Sequence, residues 1–504
     1  MSPPPNPVVT HQNRLPQNVS ITTYHGGNAR LGWNKFEKIL NPASVASNKF
    51  GLLWSVPLDG SVNGSPLIFN RVLYAVTENN SVFALNSNNG AILWSAKSLI
   101  PQLTSGQFNG YWEGQEKHGV LSTPVIDEKS KTLYFCGPRV HGLTQQYVVF
   151  ALNLETGKVK SGWPVVLKAK SLGADFTPGQ VMQRGALSLV KNRLYIPFGG
   201  RGDIPPWRGW ALSLDTVHPE TGMTGFCTSP VTDGAGVWSA GGLSATDTGE
   251  IFAVTGNGDY DLDQNGDNLG QTIVRLSPEL TFSKSKTDYY TPANFRFLDE
   301  QDEDLGGATA LILPDFPNCS TPHLLFTGGK DGCAYLLNRD NLGGVGTELQ
   351  RTRLFAAEKA TYHEGIRATS AYFDSGKQGK LIFVPGDNPA DNGDKGLTAL
   401  KIVLEGKYKP ARFAPIWNTG RDLARPSSPV VTSDGEKNGV VWLVEFNERK
   451  PGKLDAFDAL SGKLLMQRTI VGARRFVSPT AANGRVYVGA NGVSCFGLKN
   501  GVAK

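Results

Sequence analysis

One short phrase recurs along the chain, and it restricts the fold more than any other feature. Gly64-Ser65-Pro66-Leu67-Ile68 returns as Ser122-Thr123-Pro124-Val125-Ile126, as Ser427-Ser428-Pro429-Val430-Val431 and as Val477-Ser478-Pro479-Thr480. Weaker echoes stand at Gly185-Ala186-Leu187, Gly242-Leu243-Ser244, Ala308-Thr309-Ala310 and Thr369-Ser370-Ala371. The eight occurrences lie 50 to 66 residues apart. A period of that length marks a repeat architecture, in which one supersecondary unit is stacked many times.

The stretch after each phrase repeats as well. Residues 71–95 read RVLYAVTENNSVFALNSNNGAILWS, and residues 453–468 read KLDAFDALSGKLLMQR. Each unit is an apolar run, a turn, a second run ending in Ala-Leu-Asn or Ala-Phe-Asp, a glycine turn and a third run with Trp or Leu. Short β-rich segments bounded by Asn, Asp and Gly are strand and hairpin signals. Eight such units predict an all-β, eight-bladed β-propeller with four-stranded antiparallel blades.

A chain of 504 residues would otherwise suggest two or three domains. The repeat instead assigns 50–499 to one propeller domain, at about 60 residues per blade. Residues 1–18, with a Pro-rich opening, read as a disordered tail. Residues 19–49 read as an N-terminal extension packing on the propeller, with a helical segment near Asn41-Pro42-Ala43. The C-terminal unit supplies only its earlier strands, and Phe50-Gly51-Leu52-Leu53-Trp54-Ser55-Val56-Pro57 resembles a last strand. The ring is therefore expected to close by the N-terminal strand completing the final blade, which removes exposed sheet edges.

The formal charge is +6, with scattered basic residues. The nearest things to a basic patch are Arg474-Arg475 and residues 407–412, so no nucleic-acid partner is expected. No run of 18 apolar residues occurs, and no integral membrane protein is expected. The opening Met-Ser-Pro-Pro reads as a chain whose signal peptide has been removed, which implies a secreted or periplasmic location. The 5 cysteines form no CxxC pair. Cys136, Cys333 and Cys495 read as buried thiols, while Cys227 and Cys319 are left as loop residues able to pair. A closed ring needs no partner at a sheet edge, so the oligomeric state is not specified.

Function in a propeller concentrates where the blades converge. Residues just before the eight phrases should crowd the channel mouth: Glu116, His118, Gln183, Arg184, Trp238, Asp302, Asp304, His363, Glu364, Arg367, Arg425, Arg474 and Arg475. Convergent polar groups favour a ligand site, against the alternative of a merely wet channel. The arginines suit a small anionic or highly hydroxylated ligand. His118 and His363 are the best proton-transfer candidates, because histidine titrates near neutrality. The loop 199–210, with Pro205-Pro206, Trp207 and Trp210, either walls a pocket or plugs a propeller face. In a second constellation Asp261, Asp263, Asn265 and Asp267 alternate around Gly266, as oxygen ligands of Ca²⁺ do in loops. Thr272 stands where an EF-hand places its glutamate, so a solvated acidic turn competes.

The segments Phe83-Ala84-Leu85-Asn86, Gly90-Ala91-Ile92-Leu93-Trp94 and Ala456-Phe457-Asp458 through Gly462-Lys463 resemble the repeat of the pyrroloquinoline-quinone (PQQ) enzyme superfamily. The opening Thr23-Tyr24-His25-Gly26-Gly27-Asn28-Ala29-Arg30 resembles that of uncharacterised bacterial PQQ-binding-like repeat proteins. Carried onto this sequence, the resemblance implies that Trp238 is the tryptophan on which the quinone rests. Asn257 is the implied ligand of a catalytic Ca²⁺, Asp302 or Asp304 the implied base, and Lys330 the implied basic residue touching the quinone. The family's metal-ligating glutamate falls at Ile204, with Asp203 beside it as a stand-in. The adjacent cysteine pair that covers the quinone in many members is absent, as is a CxxCH site for c-type haem.

The expected function is quinone-dependent oxidation of an alcohol or sugar in the central channel. Two alternatives stand beside it. One is a lyase, hydrolase or isomerase working through His118, His363, Glu364 and the arginines. The other is a non-catalytic ligand-binding or scaffold propeller.

Overall fold

The alternation in each repeat folds into a meander. In the computed structural model, which describes residues 18–104, 117–202, 204–355, 365–386 and 396–499, the first repeat forms Leu67–Phe69, Val72–Thr77, Ser81–Asn86 and Ile92–Ala96, hydrogen-bonded in that order. Blades 2 to 7 come next, with innermost strands Val125–Asp127, Ser188–Val190, Ser244–Ala245, Leu311–Ile312, Ala371–Asp374 and Val430–Asp434. Blade 8 is built from Thr480–Ala482, Arg485–Gly489, Gly492–Leu498 and Phe50–Pro57. That last strand pairs antiparallel with Gly492–Leu498, from Phe50 opposite Leu498 to Pro57 opposite Gly492. The chain is an eight-bladed all-β propeller, closed by its N-terminal strand.

Neighbouring blades share their cores. Tyr74, Val76 and Val82 of blade 1 pack with Phe135, Val148 and Phe150 of blade 2, and Trp442 and Leu454 of blade 7 pack with Val486 and Phe496 of blade 8. Burying such side chains contributes about 1.5–3 kcal/mol each.

Two parts of the repeated sequence have direct structural causes. The outer-strand tryptophan of one blade docks on the turn glycine of the next. A Cβ on Gly157 would lie 2.5 Å from the Trp94 ring, and the Trp94 indole N–H donates to Leu154 O at 2.9 Å. Trp54 meets Gly90 and Trp417 meets Gly462 in the same way. The hydroxyl of the phrase staples innermost strands together. Thr123 Oγ1 accepts from Ser65 N at 2.9 Å, Ser428 Oγ accepts from Thr369 N at 2.8 Å, and Ser65 Oγ donates to Ser478 O at 3.1 Å.

The segment before the closing strand circles one end of the channel and touches every blade in order. Val19 exchanges hydrogen bonds with the Asn483 amide of blade 8 at 2.9 Å. Ile21 pairs with Ile68 of blade 1, and Thr22 O accepts from Ile126 N of blade 2 at 2.8 Å. Asn28 Nδ2 donates to Leu189 O of blade 3 at 2.7 Å. The carbonyls of Asn28, Ala29, Leu31 and Gly32 then accept from Ala245, Ile312, Tyr372 and Val431 of blades 4 to 7. Asn34 Nδ2 returns to blade 8, at Ala481 O, 3.0 Å away. We call this segment the strap.

Arg30 holds the strap together. Its fully buried guanidinium donates to Leu243 O, Thr23 Oγ1, Tyr24 O, Leu187 O and Ser188 Oγ. After the strap comes the short helix Pro42–Val45, capped by Asn41 in a reciprocal box with Ser44. All five cysteines are buried and free, Cys227 and Cys319 included.

Candidate functional site

The strap lies at the far ends of the innermost strands, so the other channel mouth is where residues preceding the phrases gather. There a cavity of about 500 Å³ opens, lined among others by Arg184, Trp207, Trp238, Asn257, Asp302, Asp304, Lys330, Arg367, Arg475 and Phe476.

Trp238 forms the apolar face of the cavity, and close backbone approach fixes it there. A Cβ on Gly199 would lie 2.6 Å from Trp238 Cβ, and Val237 N donates to Phe198 O at 3.1 Å. The neighbouring Gly200 leaves room for the Trp207 ring, which a Cβ would meet at 2.4 Å. Of the two readings open for the loop 199–210, Trp207 lines the cavity, whereas Trp210 is buried in the core of blade 3.

Three cations ring the Trp238 indole. Arg184 Cζ is 5.1 Å from its ring centre, Lys330 Nζ 5.5 Å and Arg367 Cζ 5.9 Å. Such placements are attracted by the ring quadrupole. Arg184 is fixed further by donating to Trp238 O from Nε at 3.2 Å and from Nη2 at 2.8 Å. Phe476 faces this group: Arg184 Cζ lies 4.0 Å and Arg475 Cζ 4.7 Å from its ring centre.

The carboxylates sit beside Lys330. Its ammonium bonds Asp302 Oδ1 at 3.0 Å and also Asp304 Oδ2. Lys330 and Asp304 are buried, with 6% and 8% side-chain exposure, whereas Asp302 is 66% exposed to the cavity side. Asp304 Oδ1 accepts from Asn257 N, and Asp302 Oδ1 accepts from Asn257 Nδ2 at 2.6 Å. Below them Asp299 accepts from Gly258 N at 2.7 Å. Burial, with Asp259, Asp304 and Glu300 nearby, pushes the Asp299 carboxyl above its usual range. Gly256 permits the whole arrangement, since a Cβ there would lie 2.2 Å from Asp304 Oδ1 and 2.7 Å from Trp238 Nε1.

Other sequence candidates lie elsewhere or outside the described residues. Glu116, Asp203, His363 and Glu364 lie outside the described residues. His118 does not line the cavity; it pairs in the short strand Lys117–His118 with Leu103–Thr104. Burial, reinforced by Arg201, pushes its imidazole down to about 3. Gln183 is buried and donates to Gly185 O at 2.6 Å. Arg425 pairs with Glu448, and Arg474 donates to Ser61 Oγ at 2.7 Å; neither lines the cavity.

The acidic loop 261–267 is tied by its own bonds. Asp261 accepts from Asn268 N at 2.8 Å and Asn268 Nδ2 at 2.6 Å, and Asp267 pairs with Lys284. Asp263 and Asn265 fall on its 3₁₀ turn Leu262–Gln264 and the residue capping it. Among the described residues, no group of three or more His, Cys, Asp or Glu is placed to hold a metal ion.

Phe476, like Met182, lines the cavity without being singled out by the sequence. Its only signal is position, directly after Arg474-Arg475 and just before the last phrase.

Eight blades stapled at the phrase, with a tryptophan-floored cavity at one mouth, resemble the PQQ-binding, quinoprotein-dehydrogenase-like β-propeller superfamily. A family model described as outer membrane protein assembly factor BamB matches residues 45–170. Among solved structures, the chain is similar to the quinohemoprotein alcohol dehydrogenase ADHIIG of Pseudomonas putida HK5, at 15% identity over 97% of this chain and 81% of that one, with a TM-score of 0.63. It is also similar to a europium-containing methanol dehydrogenase, at 15% identity over 93% and 89% of the two chains, with a TM-score of 0.61. At these identities the likeness is one of fold. No curated protein matches the sequence at a significant level. Among the described residues, no helix is long and apolar enough to cross a membrane.

Proposed function

We propose that the cavity binds a flat, polyanionic quinone of the PQQ class and that the protein oxidises an alcohol or sugar there. The observation that carries this reading is the ring of Arg184, Lys330 and Arg367 within 5.9 Å of the Trp238 ring centre. An indole face offers stacking area, and guanidinium and ammonium groups at its rim match carboxylates on a planar ligand. The donor set therefore fits the organic cofactor.

It fits a divalent metal poorly. Lys330 already pairs with both carboxylates, and Asn257 presents its amide N–H₂, not its oxygen, to Asp302.

A bound quinone would supply an electrophilic carbonyl carbon that takes up the hydride, with its electron pair, from the alcohol carbon. The protein's part is position and proton transfer. Asp302, exposed to the cavity and paired with Lys330, accepts the hydroxyl proton. Asp304, buried and bonded to Lys330 and Asn257 N, orients the lysine. Phe476 and Trp207 give the slot further apolar wall. The same reading implies a secreted or periplasmic location.

The test is a titration of the protein with PQQ, followed by tryptophan quenching, beside Trp238→Ala. Saturable binding lost in the variant is expected, as is a fall in dye-linked alcohol oxidation of about 100-fold or more in Asp302→Asn. No saturable quenching would overturn the reading and leave a propeller that binds other ligands or partners.

A further inference from the structure

We propose that Lys330 is the resident cation of this cavity and takes the place of a divalent metal, so that the site needs none. The use of that charge rests on the quinone reading; its position does not.

The backbone at Lys330 is tied into a turn. Its N–H donates to Asp304 O at 2.9 Å, and Gly332 N closes the turn onto Gly329 O at 3.0 Å. The next residue, Asp331, is buried and accepts from Tyr335 Oη at 2.7 Å and Arg351 Nη2 at 2.8 Å. The turn thus fixes the Lys330 backbone, from which the ammonium reaches Asp302 and Asp304.

The carboxamide beside it is committed. Leu305 N donates to Gln271 Oε1 at 2.8 Å, Gln271 Nε2 donates to Asn257 Oδ1 at 2.8 Å, and Asn257 Nδ2 donates to Asp302 Oδ1 at 2.6 Å. A backbone N–H can only donate, so the chain of bonds fixes which way each amide points. Asn257 therefore presents its amide protons, not a lone pair, to Asp302. Calcium needs six to eight oxygens, and a metal brought to these carboxylates would stand against the ammonium.

The position also explains what the lysine does. Its charge lies 5.5 Å from the Trp238 ring centre, so a flat ligand bound against that ring would have a cation beside it while taking up electrons. A cation placed there lowers the barrier without reorganisation.

The experiment uses terbium(III) alone, with no quinone, and reads luminescence sensitised by tryptophan. The signal counted is the part that Asp302→Asn removes, so binding at the loop 261–267 does not enter. The native protein and Lys330→Arg are expected to show no such signal. Lys330→Gln, which frees both carboxylates, is expected to bind at least about tenfold more tightly. Circular dichroism and a thermal melt confirm that each variant is folded, and Lys330→Met gives a second neutral side chain should Lys330→Gln fail to fold. Saturable binding by the native protein that Asp302→Asn abolishes would overturn the proposal. So would equal absence of binding in native protein and folded neutral variants, because the ammonium would not then be what holds the metal's place. Either result leaves PQQ binding to be judged by its own titration.

Discussion

The Arg184 guanidinium lies 4.0 Å from the centre of the Phe476 ring while donating to the backbone oxygen of Trp238. One cation thus ties a blade 8 loop to the aromatic floor across the channel. Phe476 adopts a φ of +68°, a conformation that costs a non-glycine residue about 1 kcal/mol. Phe476→Leu keeps bulk but loses the ring face. PQQ affinity should fall about 2- to 30-fold, the range for losing a cation–π contact. Quenching titrations with the variant measure it.

Gly256→Ala should abolish ligand binding while leaving the propeller folded. The added methyl would fall 2.2 Å from Asp304 Oδ1 and 2.7 Å from Trp238 Nε1, so both must move. Unchanged quenching by PQQ in a folded Gly256→Ala protein would show that these two groups do not position the ligand.

His25 and His118 are both pushed down to about 3, mainly by burial, from an ordinary value of 6.5. A histidine held neutral in the fold contributes stability that is complete above pH 6.5 and is lost as pH falls towards 3, because the unfolded chain takes up the proton first. Each should add a slope of about 1.4 kcal/mol per pH unit in that window. Urea unfolding between pH 6.5 and 4 should be flatter for His118→Gln by one such share.

Asp455 shows the opposite sign. Burial, and then Glu445, holds its carboxyl well above the usual range. Its contribution is present at low pH and is lost as pH rises through the folded value. Asp455→Asn should therefore stabilise the protein in alkaline buffer and change little near pH 4, as read from melting temperatures across that range.

Arg30 should be the most sensitive residue of the strap. It is fully buried and satisfies five acceptors, so Arg30→Met leaves carbonyls unpaired and should cost about 3 kcal/mol or more. Arg30→Lys should rescue little, since one ammonium cannot reach the acceptors that a planar guanidinium spans. Denaturant midpoints of the two variants decide this.

The sequence alone determined the ring. Strand periodicity, turn glycines and the repeated phrase are local signals, and local signals survive in a single chain. Blade number and the closing strand Phe50–Pro57 both derive from them. The placement of Trp238, Asp302 and Asp304 before the phrases was legible for the same reason, since register along a strand sets which residues reach the channel, whereas Asn257 and Lys330 were reached only through the family resemblance.

Only the tertiary structure decided which of those residues meet. Arg184 and Arg425 both stand just before a phrase, yet the first lies against Trp238 and the second pairs with Glu448. His118 reads as a proton carrier and is packed away from the cavity. Phe476 belongs to the site only because closing the ring brings blade 8 to face the loop that carries Trp238. The direction of the Asn257 amide depends on Leu305 N, 48 residues away in the chain, and no local pattern encodes a hydrogen bond relayed across two blades.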